Sequence, residues 1–181
     1  MLNPKKVKEL SDANETACKE WFEKLGYEVK KLDRDNKNRR PDFLVSKSPR
    51  PQMLCEAKTV ASAGYVPATG AHISTLDPAP SKFHLKLTRI DDKLSEAVIQ
   101  RDTLVEDDSS FADLPLLVAL FFDPWAELPR HHLGLRAESD ERFREISGIL
   151  ESKADTFVLV KNKAAIRPVP EDFERLCLCD A

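Results

Sequence analysis

Hydrophobic residues near the N-terminus recur at three- and four-residue spacing, the period of one face of an α-helix. Asn3 before Pro4 is typical of a helix start, and Gly26 is typical of a left-handed helix end. The pattern therefore predicts a helix over Pro4–Leu25 and leaves a break near Ser11-Asp12 open. The apolar stripe consists of Val7, Leu10, Ala17, Cys18, Trp21, Phe22 and Leu25.

Three short extended segments follow the predicted helix. The first is Tyr27–Leu32, and the next two, Phe43–Val45 and Met53–Ala57, flank a proline-rich turn at Lys47–Pro51. Two short strands around such a turn are typical of a β-hairpin. From Thr59 to about Ser81 the chain loses all hydrophobic periodicity, as lids, binding loops and disordered segments do. We interpret this irregular segment as one that shapes access to a site.

The second half of the chain alternates between helical and strand patterns. An apolar stripe predicts a helix over Arg89–Val105, and the continuous run Leu116–Phe122 predicts a strand buried on both faces. A second helix is predicted over Ser139–Leu150, and a further buried strand over Thr156–Val160. Together these elements predict a single α/β domain over residues 1–181, with a mixed central β-sheet flanked by helices.

The composition fits a globular protein with a real core, because 41% of the 181 residues are hydrophobic and 33% are charged. A formal net charge of -3 excludes a wholly basic surface, although the segment Lys30–Arg40 is locally cationic. The four cysteines lack metal-ligand spacing, so we expect free thiols. No apolar run approaches the roughly 18 residues of a membrane-spanning helix. With no secretory leader evident, the expected location is cytoplasmic and no membrane partner is expected.

Asp42, Glu56 and Lys58 carry the candidate chemistry. Glu56 and Lys58 are two residues apart in a predicted strand, so their side chains leave the same face. If the hairpin is symmetric about Pro49, Asp42 lies opposite Glu56, with Cβ atoms about 4.5–5.5 Å apart. Two carboxylates about 5 Å apart repel by roughly 3 kcal/mol at an effective dielectric of 20. Lys58 offsets part of this repulsion, and a divalent ion such as Mg²⁺ or Mn²⁺ would offset more.

The sequence Pro41-Asp42, a spacer and then Glu56-x-Lys58 resembles the PD-(D/E)xK motif of the restriction-endonuclease-like nuclease superfamily. The preceding helix, with Glu15 upstream of the ending Leu25-Gly26-Tyr27, resembles the first helix of that family. The resemblance covers about Asp12–Lys58 and, more weakly, the helix that follows. It implies a restriction-endonuclease-like fold and a metal-dependent nuclease that hydrolyses phosphodiester bonds, with DNA as the favoured substrate.

The resemblance implies a role for each residue of the motif. Asp42, Glu56 and the Ala57 carbonyl would hold Mg²⁺ or Mn²⁺. Lys58 would orient or help to deprotonate the attacking water and would stabilise charge on the phosphate. The alternative is an ordinary edge hairpin whose charged side chains are solvated.

Glu15 and Gln100 are further catalytic candidates. Glu15 lies at the border of the buried helical stripe, from which it could reach the strand ends and hold a second metal ion or a metal-bound water. The alternative is a capping box, Asp12-x-x-Glu15, which requires a helix that begins at Asp12. Gln100 lies on one flank of the second helix, from which several nuclease families place a polar side chain beside the site. For Gln100 the alternative is a solvated helical face.

Basic residues near the motif are candidate nucleic-acid contacts. Lys37, Arg39 and Arg40 immediately precede the motif aspartate, and Lys93 lies seven residues before Gln100 on the same flank. They could bind backbone phosphates and position the scissile bond. The alternative is a flexible charged turn for the residues before Asp42 and a solvated helical face for Lys93. Because one such site cuts one strand, the family analogy implies a homodimer for duplex cleavage. The rival hypothesis is a catalytically silent nucleic-acid-binding or protein-interaction module that retains the nuclease fold.

Overall fold

A computed structural model describes residues 4–32, 40–48, 50–60, 79–122, 130–153 and 156–179. Within these ranges the helices are α1 (Pro4–Lys24), α2 (Ala79–Asp107), α3 (Arg130–Ser139) and α4 (Glu171–Cys179). The strands are β1 (Glu28–Lys31), β2 (Phe43–Lys47), β3 (Arg50–Val60), β4 (Leu116–Phe122), β5 (Ile146–Lys153) and β6 (Thr156–Lys161). Short 3₁₀ turns, Ser109–Phe111 and Glu141–Phe143, precede β4 and β5.

The described strands form one mixed sheet in the order β1-β2-β3-β4-β5-β6. β1, β2 and β3 pair antiparallel, β3, β4 and β5 pair parallel, and β6 is antiparallel to β5. Parallel neighbours need a crossover connection, and α2 and α3 lie in these two crossovers. The prediction of a single α/β domain with a mixed sheet flanked by helices is therefore confirmed.

The sheet separates two hydrophobic cores. On one face, α1 and α4 contribute Phe22 and Phe173, which pack with strand residues such as Cys55. On the other face, α2 and α3 contribute Leu94 and Leu133. The two crossover helices thus share one face of the sheet, and the first and last helices share the other.

α1 runs without a break and ends as the sequence predicts. The Tyr27 N–H donates to the Phe22 carbonyl at 3.1 Å and the Gly26 N–H donates to the Glu23 carbonyl at 3.0 Å, which together form a Schellman motif. Gly26 has φ 83°, a left-handed conformation that costs other residues about 1–2 kcal/mol. The Tyr27 and Phe22 rings pack with centroids 6.2 Å apart, the hydrophobic contact that accompanies this motif.

The helix predicted over Ser139–Leu150 is wrong. α3 ends at Ser139, and after a 3₁₀ turn the chain forms β5. The apolar residues that suggested a helical stripe lie on both faces of the sheet, because Ile146 belongs to the α2 core and Leu150 to the α1 core. A short apolar run fits either period. Here β5 pairs with β4 on one side and with β6 on the other, and these backbone hydrogen bonds stabilise the strand.

Other helical segments differ from the prediction in extent. The helix predicted over Arg89–Val105 is the later part of the longer α2, and sequence patterns did not predict α3 or α4. The segment predicted to be irregular, Thr59–Ser81, lies mostly outside the described residues; its first two residues end β3 and its last three begin α2. Within the part of the chain that the structure describes, no helix is both long and apolar enough to cross a bilayer.

Cys18 and Cys55 are free thiols, as the sequence predicts. Cys18, Cys55 and Cys177 are buried and reduced. The Cys18 and Cys55 Sγ atoms lie 3.8 Å apart, far beyond the roughly 2.05 Å of a disulfide. Burial, together with the hydrogen bond to Cys18, raises the pKa of the Cys55 thiol. These two thiols therefore act as apolar packing groups between α1 and β3.

An ion-pair network joins α2, α3 and the turn before β5. Arg136 binds Asp91 in a bidentate geometry, with Nε–Oδ1 2.7 Å and Nη2–Oδ2 2.5 Å. Arg136 also lies 3.5 Å from Asp140, whose Oδ1 accepts the Arg142 backbone N–H at 3.1 Å as the cap of the 3₁₀ turn. The side-chain hydrogen bond from Arg142 lowers the pKa of Asp140 to about 2.

We expect Asp140→Asn to destabilise the fold by about 1 kcal/mol at pH 7, because it removes the charge that both arginines bind while keeping a capping oxygen. The folded-state pKa lies below the ordinary 3.8, so the carboxylate's contribution is complete above about pH 5 and is lost as the pH falls toward 2. Urea denaturation of parent and variant should give a difference in unfolding free energy that shrinks between pH 7 and pH 2.5. A difference that does not change with pH would show that this charge contributes nothing.

Candidate active site

The register of the β2–β3 hairpin places Asp42 opposite Glu56. Phe43 pairs with Cys55, and the next pairs keep this register up to a bulge after Val45. The residue before Phe43 therefore faces the residue after Cys55, and the Asp42 N–H donates to Glu56 Oε2 at 2.8 Å. The register predicted from a symmetric hairpin is confirmed at the end of the strands that carries the motif.

Both motif carboxylates are fully buried and interlock with the backbone of the hairpin. Glu56 Oε2 accepts the Asp42 N–H, and Asp42 Oδ2 in turn accepts the Ala57 N–H at 2.9 Å. Pro41 has no N–H, and β2 begins only after Asp42, whereas β3 continues past Ala57. In a β2 extended toward its N-terminus, the carbonyl of Pro41 would face Ala57; here the Asp42 side chain accepts the Ala57 N–H instead.

The Lys58 ammonium lies among three acceptors. Its Nζ is 2.7 Å from Glu56 Oε1, 2.8 Å from Gln100 Oε1 and 3.4 Å from Glu96 Oε2. Lys58 donates a hydrogen bond to Gln100, whereas its contacts with Glu56 and Glu96 are ion pairs. Lys58 is therefore held between β3 and α2, with its charge directed at Glu56.

α2 presents Lys93, Glu96 and Gln100 along one face toward the end of β3. Glu96 accepts from Lys93 at 2.9 and 3.0 Å and also lies beside Lys58. Burial raises the pKa of Glu96, but the hydrogen bonds and charges of Lys93 and Lys58 outweigh it, so the pKa lies below the ordinary 4.5. Gln100, a sequence candidate, is brought to the site. Glu96 was missed, although it lies between Lys93 and Gln100 on the same helical flank.

Gln100 also ties the site to the segment before β2. Its Nε2 donates to the Arg40 carbonyl at 3.3 Å. The Arg40 side chain binds Asp107 at the end of α2, with Nη2 2.9 Å from Oδ2. Arg40, expected to contact phosphate, thus holds its own segment against α2 in this structure. The other two expected contacts in this segment, Arg39 and Lys37, lie outside the described residues.

Glu15 is buried on the opposite face of the sheet from Lys58, on the side that packs against α1. Its Oε2 accepts from Lys31 at 2.7 Å, and the neighbouring Asn14 donates to Thr59 Oγ1 at 2.8 Å. The capping-box interpretation is wrong, because Asp12 lies inside the unbroken α1. Among the described His, Cys, Asp and Glu side chains, no group of three or more could hold a metal ion. The role of Glu15 at a metal ion stays a prediction.

The donor set of the motif suits a hard divalent cation. Magnesium in proteins is commonly held by one or two carboxylates, with waters and substrate phosphates as further ligands. Asp42 and Glu56 supply two carboxylates, and the Ala57 carbonyl leaves its strand on the same side as the N–H that Asp42 accepts. Lys58 offsets only one of the two negative charges, and each carboxylate oxygen can accept more than one interaction.

A second Glu-x-Lys sequence, Glu151-Ser152-Lys153, ends β5 on the same face of the sheet. Glu151 is buried, and its Oε1 lies 3.2 Å from Lys153 Nζ. The cross-strand neighbours of Glu151 are the apolar residues Leu120 and Val158. Glu56, by contrast, has the carboxylate of Asp42 as a cross-strand neighbour. The Glu151–Lys153 pair has the spacing and ion pairing of Glu56 and Lys58 and an equally buried glutamate, but its lysine is more exposed and its glutamate lies between apolar residues. It offers an internal control for the motif.

Comparisons with known proteins give no match: no family model, no curated protein and no solved structure is significantly similar to this chain. The fold is thus established at the level of a six-stranded mixed α/β sheet. The restriction-endonuclease-like assignment stays a prediction that rests on the motif residues and their geometry.

We expect Gln100→Leu to lower the unfolding free energy by about 1–2 kcal/mol, because the Lys58 ammonium loses an acceptor and the Arg40 carbonyl loses a donor. Ile99→Ala is the matched control, since Ile99 is the next residue on α2 and is 60% exposed. The control should change stability by less than about 0.5 kcal/mol. Chemical denaturation measures both, and equal effects would contradict a bridging role for Gln100.

Proposed function

We propose that this chain is a metal-dependent nuclease with a restriction-endonuclease-like fold that hydrolyses phosphodiester bonds, with DNA as the favoured substrate. One observation carries the proposal: Asp42 and Glu56 are buried side by side, with the Lys58 ammonium 2.7 Å from Glu56. This is the set of residues that the PD-(D/E)xK resemblance implies. For duplex DNA the family analogy adds a homodimer in which each copy cuts one strand.

The chemistry follows from the charges at the end of β3. Asp42, Glu56 and the Ala57 carbonyl would hold Mg²⁺ or Mn²⁺. When bound, such an ion lowers the pKa of water and neutralises charge that develops on the phosphate. Lys58 places a fixed positive charge beside these carboxylates, where it can orient the attacking water or bind a phosphate oxygen. Gln100 acts through Lys58, as a positioning residue.

The alternative function is a catalytically silent module that binds nucleic acid or protein. It is supported by the way the protein's own groups engage the motif: the Lys58 ammonium already contacts three protein acceptors. A buried glutamate paired with a lysine also occurs outside the motif, at Glu151 and Lys153, so this pairing alone does not require catalysis. Metal binding and cleavage separate the two functions.

Mn²⁺ should raise the melting temperature of the parent chain but not that of Asp42→Asn. An ion at ten times its Kd stabilises the folded state by about 1.4 kcal/mol. The asparagine keeps an oxygen for the Ala57 N–H but removes one of two adjacent buried charges. Without metal, we therefore expect the variant to be at least as stable as the parent.

Calorimetric melting with and without MnCl₂ tests this expectation. An equal metal-induced shift in parent and variant would remove Asp42 from the ligand set. No shift in the parent would favour the silent module.

Cleavage assays in Mg²⁺ or Mn²⁺ should separate the motif from its internal control. Glu56→Gln and Lys58→Met should each lower the cleavage rate by at least about 100-fold, because each removes a charge beside the reacting phosphate. Glu151→Gln removes a buried carboxylate with the same Glu-x-Lys spacing, and its cleavage rate should stay within about twofold of the parent.

Cleavage rates are compared on single-stranded, duplex and branched DNA and RNA, which shows which nucleic acid the protein cleaves. Circular dichroism verifies that each variant is folded. Unchanged cleavage by the Glu56 and Lys58 variants would refute the assignment, as would an equal loss in the Glu151 variant.

A further inference from the structure

Two lysines of different elements share one carboxylate at the rim of the candidate site. Glu96 Oε2 lies 2.9 Å from Lys93 Nζ and 3.4 Å from Lys58 Nζ, while Glu96 Oε1 lies 3.0 Å from Lys93 Nζ. A carboxylate bracketed by two ammonium groups marks a position that favours an anion. Phosphate oxygens accept from ammonium groups as carboxylate oxygens do, and lysine binds phosphate as a point charge.

We propose that Lys58 and Lys93 form a phosphate-binding subsite whose position the Glu96 carboxylate occupies in this structure. A backbone phosphate of the nucleic acid would displace Glu96 from Lys58 and bind between the two lysines. This inference deepens the proposed nuclease function and rests on it for the identity of the phosphate. In this proposal, the Glu96 carboxylate competes with the substrate phosphate for the Lys58 ammonium.

The contact distances make Glu96 the acceptor that Lys58 releases most easily. Its oxygen is the most distant of the three around Lys58 Nζ, since the Glu56 and Gln100 oxygens lie at 2.7 and 2.8 Å. Lys93 contacts both oxygens of Glu96, and its ammonium has three donors, so it can keep one contact with Glu96 while it also binds the phosphate. The exchange therefore leaves no charged group unpaired, which is the condition that makes displacement inexpensive.

The exposure of the three side chains matches a subsite that opens to solvent. The Glu96 side chain is 38% exposed and that of Lys93 is 33% exposed, while that of Lys58 is 12% exposed. The buried lysine thus lies on the inner side and the exposed lysine on the outer side. An anion arriving from solvent contacts Lys93 first. In the bound position it also contacts the Lys58 ammonium, which lies beside Glu56.

Removal of the Glu96 charge should strengthen binding of anions. We expect Glu96→Gln to lower the apparent Kd for inorganic phosphate and for a fluorescein-labelled single-stranded oligonucleotide by about three- to fivefold, the range for partly exposed charge pairs. Both are measured in EDTA, so that no cleavage contributes; thermal shift follows phosphate and anisotropy follows the oligonucleotide. Glu106→Gln, on the same helix with the same charge change, should alter neither Kd beyond about 1.5-fold.

A second variant tests the two-lysine geometry. In Glu96→Gln combined with Lys93→Met, the gain should disappear, because a single ammonium remains. Equal Kd values for the Glu96 and Glu106 variants, or a gain that survives the loss of Lys93, would overturn the subsite. A gain for phosphate alone would support the anion site and count against the nuclease function. Cleavage by the parent without any gain in Glu96→Gln would refute the subsite and leave the nuclease function standing.

Discussion

The candidate site depends on one exchange of hydrogen bonds between the two strands of a hairpin. Glu56 accepts the Asp42 N–H, and Asp42 accepts the Ala57 N–H. Burying two neighbouring carboxylates is unfavourable unless charged and polar groups compensate them. Here the backbone supplies charge-assisted hydrogen bonds and Lys58 supplies a counter-charge. Because β2 begins only at Phe43, the Ala57 N–H lies beyond the strand pairing, and the Asp42 side chain accepts it.

α2 completes the site from above the sheet. Gln100 joins Lys58 to the Arg40 carbonyl, and the Arg40 side chain binds Asp107 at the end of the same helix. The segment that leads into Asp42 is therefore fixed by the helix as well as by β3. Because α2 is the crossover between β3 and β4, the parallel half of the sheet and the site share one supporting element. Strand pairing and side-chain positioning in this part of the molecule are thus coupled.

Local patterns predicted what depends on local geometry. The Schellman end of α1 at Gly26 follows from a single glycine, and the pairing of Asp42 with Glu56 follows from hairpin symmetry, so both could be predicted from the sequence. The strand β5 could not, since the spacing of Ile146 and Leu150 fits a helix as well as a strand until β4 and β6 pair with it.

Tertiary contacts were beyond the reach of such patterns. The period of α2 brought Gln100 into consideration, but nothing local to Glu96 indicates that Lys58 lies beside it. The Arg40–Asp107 pair joins residues that only the crossover brings together. Where the partner of a side chain belongs to another element, the sequence pattern indicates the candidate residue but does not predict its partner.

The outermost strand beside the hairpin has a protective consequence. β1 is only four residues long, and its exposed positions are Glu28, Lys30 and Lys31. A bare sheet edge is a template for another polypeptide, and short, charged edge strands discourage such addition. Since β1 covers β2 along its outer side, it keeps foreign strands from aggregating onto the hairpin that carries Asp42.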